Sequence, residues 1–499
     1  MPLDKPPSES PVESAHPMTG GIPVFGPREK LALWILLGST FLVFINETFM
    51  NVGTAVVMRD LSITASAAQW LTTAYLLTMS VIIPMTGLLI QRFSTRTLFI
   101  AAMTVFTLGT AIAACAPGFE VLLVGRVVQA VGTSVMQPLL MTTITLIAPP
   151  GQRGRLMSYV TIVGSVAPAF GPTLSGFVLQ WLSWRWLFIF MLPLAIVSVV
   201  LGIRRMPNVG VQKHAKIDAL SIVLAAFAFG GIVYGLSAAG AAAVGSPTLP
   251  PYIPLSVGVI TLALFVWRQF ALQREDRALL DMRVFESRTF TLSTIAFAVG
   301  GLALFGALFL IPLYAQNVLH FGPALTGFII LPGSLLMAVL APPVGRMVDA
   351  TGGRGVLIAG MAITAVSVWS MALFDVDTPI WQLFATNIVM NIGLSGIFTP
   401  LYSIALGSLR KRYTSHGSAM IGTMNQLAGA ASTALLVTIM TVVSVNHGGL
   451  AQAEAPESLV AGTRFAFIVA AIIATLGVIV ALFIHEDPES AQKRRHVAR

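Results

Sequence analysis

Long apolar stretches, separated by short polar connections, run along almost the whole chain. A helix needs about 20 mostly apolar residues to cross the hydrocarbon core of a bilayer, and inside it only helices or closed barrels satisfy their backbone hydrogen bonds. Fourteen stretches reach this length, at 31–56, 68–90, 97–116, 121–147, 156–180, 185–203, 217–237, 252–271, 289–317, 324–345, 355–374, 379–408, 417–446 and 464–485. The pattern predicts an all-α integral membrane protein with 14 transmembrane helices.

The composition excludes a soluble fold. Of the 499 residues only 10% are charged, against about 25% in ordinary globular proteins, while 56% are hydrophobic and the mean hydropathy is +0.85. The single cysteine, Cys115, excludes an intramolecular disulfide framework and a cysteine-rich metal site. Residues 1–30 are rich in Pro and Ser and lack the apolar core of a signal peptide, so we expect a disordered tail there.

The basic residues fix the predicted orientation. A net charge of +9 would suggest nucleic-acid binding in a soluble protein, but in membrane proteins Lys and Arg collect in cytoplasmic loops. With both termini in the cytoplasm, 25 of the 29 Lys and Arg residues fall on that side. The exceptions are Arg59, Arg185 and Arg464 on the outer side and Arg126 within a span. Topology therefore explains the charge, and no nucleic-acid partner is expected.

Two predicted cytoplasmic loops repeat one another. Residues 87–96 read GLLIQRFSTR and residues 345–354 read GRMVDATGGR, an offset of 258 residues. Both loops join the second and third helices of a six-helix block if the seventh and eighth spans are an insertion, which gives a 6+2+6 arrangement. The predicted parts are a cytoplasmic tail (1–30), a six-helix bundle (31–204), a two-helix insertion with basic cytoplasmic loops (205–288), a second six-helix bundle (289–485) and a basic cytoplasmic tail (486–499).

Four further segments carry motifs. The first span contains NETFMNV (46–52), the fourth RVVQAVG (126–132), the fifth GSVAPAFGPTLSG (164–176), and the sixth opens with WRWLFIFMLP (184–193). Together with the repeated loops, these segments resemble, in order and topology, the motifs of the major facilitator superfamily, and in particular of its fourteen-span drug:H⁺ antiporters of the multidrug efflux type. The resemblance covers essentially residues 31–485. It implies the major facilitator fold and export of small molecules in exchange for protons.

The resemblance also implies that the repeated loops act as cytoplasmic gates. The residues that match the family pattern G-x-L-x-D-R-x-G-R-R in this role are Gly87, Arg92, Gly345, Asp349 and Arg354. In the first loop, the Asp and Gly of the family are replaced by Gln91 and Ser94. We therefore expect a weaker charge latch on the first bundle than in the resembling proteins.

Glu47 is the acidic residue that falls deep within a predicted span. An ionisable side chain is costly in hydrocarbon and is by default a functional candidate, and a carboxyl group can bind and release a proton. The family motif usually places an Asp where this chain has Asn46, so the carboxylate is shifted by one residue. Asn51 and Thr54 follow on the same helical face and predict a polar cavity wall. The competing interpretation is a permanently neutral, hydrogen-bonded acid.

Arg126 is predicted to lie at a similar depth. Glu47 is roughly 24 Å from the cytoplasmic start of its span and Arg126 roughly 8 Å from the outer start of its own, so both fall in the outer half of the bilayer. Gln129, Thr133 and Gln137 share one helical face with Arg126. We expect proton coupling by Glu47 and Arg126 beside one polar pathway. The alternative is a static role for Arg126 as a hydrogen-bonding post.

The fifth span carries the antiporter motif, whose residues are Gly164, Pro168, Gly171, Pro172 and Gly176. Four of them follow in steps of four, so one face lacks bulky side chains and two backbone donors are missing; such a face allows close helix contact and bending. Ser175 replaces the first of the family's paired glycines. Tight packing is the simplest interpretation, and the resemblance adds that this packing seals the central route.

Other polar residues within spans extend the predicted substrate cavity. Its candidates are Asn46, Asn51, Thr54, Tyr75, Gln129, Thr133, Gln137, Tyr314, Asn387 and Asn391. Lower in rank are Gln69, Gln316, Asn425 and Gln426. Beyond the residues of the first and fourth spans, an interhelical hydrogen bond is the competing interpretation for each.

These observations lead to a functional hypothesis: a proton-coupled antiporter that exports small hydrophobic or cationic drugs by alternating access, with Glu47 as the shared proton and substrate site. The chain contains no Walker A sequence, no HExxH and no catalytic triad signature, so we predict neither an enzyme nor a metal or cofactor. The expected partners are the lipid bilayer, small amphipathic substrates and protons. We expect a monomer in the plasma membrane of a bacterium.

Three alternatives stay open. A dedicated exporter of one metabolite, lipid precursor or antibiotic would have the same sequence features, because specificity depends on side-chain geometry. An importer working by symport is disfavoured by the fifth-span motif. A non-transporting receptor or scaffold with this fold would gain nothing from the cost of burying Glu47 and Arg126.

Overall fold

The computed structural model describes residues 26–147, 153–208, 218–243, 245, 249–275, 277–410, 413–452 and 455–484, and their regular secondary structure is helical. The α-helices are α1 (Pro27–Leu61), α2 (Ala65–Ala68), α3 (Trp70–Arg92), α4 (Thr95–Ala114), α5 (Phe119–Ile147), α6 (Arg153–Trp181), α7 (Arg185–Arg205), α8 (Ala219–Ala243), α9 (Tyr252–Leu272), α10 (Arg288–Asn317), α11 (Pro323–Thr351), α12 (Gly353–Met371), α13 (Ile380–Gly407), α14 (Thr414–Gln452) and α15 (Pro456–Leu482). Two 3₁₀ helices, Gln273–Glu275 and Met282–Glu286, connect α9 to α10.

Every predicted span corresponds to one long helix, and α2 is a single turn before α3. Among the described residues, 13 helices have the length and hydropathy to cross a membrane. The prediction of an all-α integral membrane protein is confirmed. The predicted disorder of residues 1–30 falls outside the described residues as far as residue 25, but it is wrong for residues 27–30, which form the first turn of α1.

Several helices extend beyond their apolar stretches. Helix α1 continues to Leu61, past the predicted end at residue 56, and α15 begins at Pro456, before the predicted start at residue 464. Arg59 and Arg464, predicted in outer connections, therefore lie inside helices, because helical hydrogen bonding does not stop where the apolar sequence stops. Helix α14 contains a kink at Gly449, whose φ of 69° favours glycine.

The buried apolar side chains form two main clusters. One is drawn almost entirely from α1–α7, and the other mainly from α8–α15. We refer to α1–α7 as the first bundle and to α10–α15 as the second bundle, and to the contact surface between them as the seam. Helices α8 and α9 contribute to the second cluster through Ala225, Phe229 and Phe265.

Arginines in the two repeated loops make equivalent hydrogen bonds. The Nη2 atom of Arg96, at the start of α4, donates to the carbonyl of Ile203 at 2.5 Å, at the end of α7. The Nη2 atom of Arg354, at the start of α12, donates to the carbonyl of Leu482 at 2.9 Å, at the end of α15. The carbonyls at a helix C-terminus have no partner within the helix, so each arginine caps an open helix end.

A second pair of arginines repeats this arrangement at the other ends of the helices. Arg185, at the start of α7, donates to the carbonyl of Ala116 at 2.9 Å, just after α4. Arg464, near the start of α15, donates to the carbonyl of Ala372 at 2.9 Å, just after α12. The internal repeat seen in the loops therefore extends to how α4 packs with α7 and how α12 packs with α15.

Helices α8 and α9 form an antiparallel pair, and at one end an ion pair between two side chains joins them. Arg268 donates two hydrogen bonds of 2.7 Å to the carboxylate of Asp218, and these bonds lower the pKa of Asp218 to about 2. The amide of Gln269 then joins the pair to the following segment, because its Oε1 accepts from the backbone of Leu279 at 2.9 Å. The pair is thus fixed to the chain that leads into the second bundle.

The two ends of the protein differ at the seam. Helix α1 begins and α15 ends at one end, which we call the terminal face, and the opposite end is the distal face. Towards the distal face, the hydroxyl groups of Thr73 in α3 and Thr433 in α14 lie 2.6 Å apart. Towards the terminal face, a methyl group placed on Gly87 in α3 or Gly345 in α11 would meet nothing within 4 Å. The two bundles are thus in direct contact at the seam towards the distal face.

Helices α1 and α10 also meet near the distal face. The amide nitrogen of Gln316 in α10 donates to the carbonyl of Val52 in α1 at 3.1 Å, and its oxygen accepts from Arg59 at 3.4 Å. The alternative interpretation of Gln316, an interhelical hydrogen bond, is therefore correct.

Candidate functional site

The centre of the first bundle is organised around the guanidinium group of Arg126 in α5, which is 0% exposed. Its Nη1 donates to the backbone carbonyl and the Oδ1 of Asn46 in α1, at 3.3 and 3.1 Å, and to the Oε1 of Gln129 at 3.1 Å. Its Nε donates to the carbonyl of Leu71 in α3 at 3.2 Å. The guanidinium carbon lies 4.0 Å from the centroid of the Tyr75 ring. Arg126 therefore connects three helices through hydrogen bonds, as the static role given above as the alternative requires.

Glu47 lies directly beside this group. The Nη2 of Arg126 reaches the backbone carbonyl of Glu47 at 3.5 Å, and its positive charge acts on the Glu47 carboxyl group. The Glu47 side chain is half-buried and lies near the amide of Gln426 in α14, across the seam. The structure thus brings Glu47 and Arg126 to one depth and sets the carboxyl group against the second bundle.

A second layer of hydrogen bonds surrounds Arg126. The hydroxyl of Tyr75 donates to Thr133 at 2.7 Å, and the Nε2 of Gln129 donates to Thr110 in α4 at 2.9 Å. Of the predicted polar face of α5, Gln129 and Thr133 are fully buried in this network, and Gln137 is half-buried further along the helix. The network holds the arginine in one position. Sequence reasoning missed Thr110, and only its spacing on an apolar helix could have indicated it.

Only some of the polar side chains along α1 form hydrogen bonds. Thr54 donates to the carbonyl of Met50, one turn back in its own helix, at 2.5 Å. Asn51 is 8% exposed. The Nδ2 of Asn46 and the hydroxyl of Thr40 are buried without a hydrogen-bond partner among the described residues. Buried polar groups are normally paired, so these two atoms mark a polar environment along α1.

The antiporter motif packs α6 against α1 next to Glu47. The Oγ of Ser175 donates to the carbonyl of Phe49 at 2.9 Å. A methyl group on Gly171 would collide with Thr48 and would lie 3.0 Å from the carbonyl of Ile45. Ser175 stands where the family pattern has a glycine. Its side chain therefore adds a hydrogen bond to α1, the helix that Gly171 approaches closely.

The other side of the motif packs across the seam, on α11 of the second bundle. A methyl group on Gly327 of α11 would lie 2.6 Å from the carbonyl of Pro172, and one on Gly176 would collide with the carbonyl of Pro323. Thr173 donates to the carbonyl of Gly327 at 3.2 Å. Helix α6 thus contacts the acid-bearing helix on one side and the opposite bundle on the other. The side chain of Pro168 lies outside the described residues.

We predict that Gly176→Ala lowers the melting temperature of the detergent-solubilised protein, whereas Gly164→Ala does not. The added methyl group at residue 176 meets backbone of α11, while at residue 164 it meets nothing within 4 Å. Overpacking costs about 1–3 kcal/mol, which corresponds to a decrease of several degrees. Thermal unfolding of the two variants checks this. Equal melting temperatures would show that α6 and α11 accommodate the added methyl group without loss of stability, which would contradict the prediction.

Tyr314 was predicted to line the same cavity, and the structure places it elsewhere. Its hydroxyl donates to Thr378 at 2.9 Å and to the carbonyl of Asp375, and its ring stacks on Phe374 at 5.3 Å between centroids. These partners belong to the connection between α12 and α13. A tyrosine near the end of a helix can reach a neighbouring loop with its hydroxyl group, so Tyr314 fixes this connection and does not join the group around Glu47.

Asn387 and Asn391 lie in the second bundle, between α13 and α11. The Nδ2 of Asn391 donates to the Oδ1 of Asn387 at 3.2 Å, and both side chains approach Gly333 of α11. At the 258-residue offset of the repeated loops, they correspond to Gln129 and Thr133. The second bundle therefore has a counterpart of the polar pair on α5, separate from the contacts of Arg126.

The predicted gating loops are partly described. Arg92 is exposed, with its guanidinium carbon 5.8 Å from the ring centroid of Phe93. Arg354 caps α15 as described above. The side chains of Gln91 and Asp349 lie outside the described residues, so their gating role stays a prediction.

This architecture and the charged group at its centre define a multi-span membrane transporter. The family profile of the Major Facilitator Superfamily matches residues 36–433. The chain belongs to the major facilitator superfamily, and the resemblance seen in its motifs is confirmed. As a member of a transporter family, it is not an enzyme.

Relatives match the chain over nearly its full length. It is 38% identical over 468 residues to the uncharacterised transporter YcnB of Bacillus subtilis, covering 94% of this chain and 97% of the relative. It is 37% identical to the lincomycin resistance protein LmrB of Listeria monocytogenes, covering 94% and 98%. It is 28% identical to a multidrug resistance protein B homologue of Mycobacterium tuberculosis, covering 82% and 75%. With such bacterial relatives, the protein is assigned to the bacterial plasma membrane.

Solved structures share the fold. The POT family transporter PepTSo superposes with a TM-score of 0.67 at 15% identity, covering 93% of this chain and 99% of that one. A bacterial homologue of the lysosomal transporter Spinster gives a TM-score of 0.63 at 13% identity, covering 92% and 97%. At these identities, the similarity concerns the fold alone.

Proposed function

We propose that this protein is a proton-coupled antiporter that exports small hydrophobic or cationic drugs by alternating access. The observation that carries the proposal is the half-buried carboxyl group of Glu47, which faces the seam with the fully buried Arg126 behind it. A group of this kind in an apolar helix is costly to retain without a function.

The roles of the two charges follow from their contacts. Arg126 is held by hydrogen bonds to α1, α3 and Gln129, so its charge stays in place during the cycle. The Glu47 carboxyl group is the member that gains and loses a proton. When it is ionised, it attracts a cationic substrate; when it is protonated, it does not. Proton and monovalent cation therefore compete for one carboxyl group, and dications are poor substrates.

The transport cycle uses the division into bundles. We propose the 6+2+6 arrangement, with bundles over residues 31–204 and 289–485 and both termini in the cytoplasm; the two apolar clusters and the repeated arginine caps support it. Since the two bundles are in direct contact at the seam towards the distal face, this arrangement corresponds to an inward-facing state. Substrate enters from the terminal face, and closure of that face with opening of the distal seam releases it outside.

Drug export is supported by relatives named for lincomycin and multidrug resistance. A dedicated exporter of one compound is the second candidate, because one of these relatives is named for a single drug. In either case, the proton gradient supplies the energy, no cofactor is needed, and one chain contains the complete pathway.

The test is substrate-induced proton release from the purified protein in weakly buffered detergent solution. A panel of lipophilic monocations and neutral drugs is added to wild type and to Glu47→Gln. We expect proton release by wild type and its loss in the variant, since the competing carboxyl group is gone. Tight binding without release, or release that persists in the variant, would contradict Glu47 as the shared site. Release by many compounds or by one distinguishes multidrug from dedicated export.

A further inference from the structure

Resting on the proposed function, we infer its substrate class: Glu47 and Gln426 together form a receptor for protonated amines that carry an N–H group. The ammonium lies between the carboxylate of Glu47 on α1 and the amide oxygen of Gln426 on α14. Gln426 is then a residue that determines specificity, and it belongs to the other bundle.

The position of Gln426 is the first support. Its side chain is 8% exposed, and its Nε2 lies 3.7 Å from the Sδ of Met79 in α3. The amide lies near the Glu47 carboxyl group. Its Oε1 is buried and accepts no hydrogen bond from the described residues. A buried carbonyl oxygen without a donor is unfavourable, so this atom is suited to a donor that a ligand brings.

The chemistry of the two groups selects the ligand. An ionised carboxylate and an amide oxygen are both acceptors, so the pair requires a cation with hydrogen-bond donors. A protonated amine satisfies both: its charge neutralises Glu47, and its N–H groups point to the two oxygens. A quaternary ammonium ion supplies the charge but no N–H, and it leaves the oxygen of Gln426 unpaired. A ligand without the N–H group leaves this buried oxygen unpaired, and that cost is why such sites discriminate between ligands with and without the donor.

The adjacent Asn425 provides a matched control. It is also an amide on α14 with a buried oxygen that lacks a hydrogen-bond partner among the described residues. One residue away on a helix, however, it faces a different neighbour: its Oδ1 would lie 3.0 Å from a methyl group placed on Gly301 of α10. Asn425→Leu therefore changes a similar group that does not approach Glu47.

The experiment compares two monocations that share one biphenylmethyl body: 4-phenylbenzylamine, which is protonated at pH 7 and carries three N–H groups, and trimethyl(4-phenylbenzyl)ammonium, which carries none. Their affinities for the full-length protein in detergent are measured by calorimetry. Since a hydrogen bond to a charged group is among the stronger ones, we expect wild type to bind the primary amine about tenfold more tightly. Gln426→Leu should remove this preference and change the affinity for the quaternary ion less than about threefold, and Asn425→Leu should retain the preference.

The outcomes separate this inference from the function on which it rests. A preference that survives in Gln426→Leu, or no preference in wild type, would overturn the role of Gln426 while leaving Glu47 in place. If Glu47→Gln binds each of the two cations as tightly as wild type does, the proposed function would instead be contradicted. Gln426→Asn, which keeps the amide, is expected to retain part of the preference and excludes misfolding as the cause.

A second inference concerns the inserted helix pair: we propose that α8 moves with the second bundle and forms a releasable latch with the first. Helix α8 is bonded to α14, because Thr438 donates to the carbonyl of Leu236 at 2.9 Å. It is also bonded to the first bundle, because Gln69 donates to Ser237 at 2.6 Å.

The burial pattern indicates which contact persists. The apolar side chains of α8 that lie in the main cluster, such as Phe229, belong to the cluster of the second bundle. The contact with the first bundle includes the bond of Gln69 and the rings of Trp70 and Tyr234, 5.7 Å apart. It also includes a third, smaller apolar cluster, in which Val233 of α8 lies with Tyr75 of α3 and Ala430 of α14. When the distal seam opens, the smaller contact is the one that separates.

Gly240 allows both contacts to be tested from one position. A methyl group there would lie 3.3 Å from the Oγ of Ser66 in α2 and 3.0 Å from the Cα of Thr438 in α14. In a Cys115→Ser background, Gly240→Cys is combined with Ser66→Cys or with Thr438→Cys, and efflux of trimethyl(4-phenylbenzyl)ammonium from proteoliposomes is measured before and after oxidation. A disulfide fixes its two elements at contact distance.

We expect oxidation to reduce transport by more than about tenfold for the pair with Ser66, because opening is then blocked. The pair with Thr438 should stay within about twofold of its reduced state, since its two helices move together. Reductant should restore the first pair, which shows that the variant is folded. Unchanged transport with Ser66 cross-linked, or inhibition with Thr438 cross-linked, would overturn the proposal.

Discussion

Glu47→Gln is expected to abolish drug accumulation driven by a proton gradient. The amide matches the shape of the carboxyl group, but it neither binds a proton nor carries a charge. The exchangeable site is therefore lost while the size and shape of the side chain are retained. In inside-out vesicles energised to an acidic lumen, we expect a decrease on the order of 100-fold in the initial rate, to the level of vesicles without the protein.

Glu29→Gln is the matched control, since it makes the same change in the same helix. Glu29 lies in the first turn of α1, at the terminal face, where the group is not part of the seam. We expect transport within about twofold of wild type. Gradient-driven accumulation that survives in Glu47→Gln would place the coupling group elsewhere in the chain.

Arg126→Met is expected to destabilise the protein as well as inactivate it. The substitution leaves acceptors on Asn46, Gln129 and Leu71 without their donor, and it leaves Glu47 without the neighbouring positive charge. Removing one member of a buried charged group typically costs about 3–5 kcal/mol. We expect the melting temperature in detergent to fall by about 3–5 °C.

Two further variants separate charge from geometry. Arg126→Lys keeps the charge but not the planar fork of donors, so we expect it to remain nearly as unstable as Arg126→Met. Arg185→Met removes another hydrogen-bonded arginine, which is one-third exposed, and should lower the melting temperature by only about 1–2 °C. A stable Arg126→Lys that transports at the wild-type rate would contradict the role of the arginine as a post.

Sequence pattern was sufficient for the membrane fold because the bilayer requires long apolar helices. The same reasoning found Glu47 and Arg126, since charged groups in apolar spans stand out without any structural knowledge. It could not predict which of the neutral polar residues lie near these two charged groups. Tyr75 and Tyr314 both occur in apolar helices, yet only Tyr75 packs on Arg126, while Tyr314 bonds to the connection after α12.

The contact across the seam lay beyond sequence reasoning for a similar reason. Asn425 and Gln426 are adjacent amides on one helix, and only the rotation of α14 against α3 and α10 decides which one faces Glu47. Packing between helices sets that rotation. The repeated arginine caps were likewise hidden: the loop motif contains Arg96 and Arg354, but their carbonyl partners lie more than 100 residues away in the chain.

The most direct test of the central claim is exchange in proteoliposomes with a reversible pH gradient. Purified protein is reconstituted, and trimethyl(4-phenylbenzyl)ammonium, a permanently charged monocation that a pH gradient does not redistribute by itself, is placed at equal concentration on both sides. A gradient is then imposed first in one direction and then in the other. Antiport through Glu47 predicts net drug movement against the direction of proton flow, reversal with the gradient, and no net movement in Glu47→Gln. Drug movement in the same direction as the protons, or net movement in the variant equal to that in wild type, would contradict it.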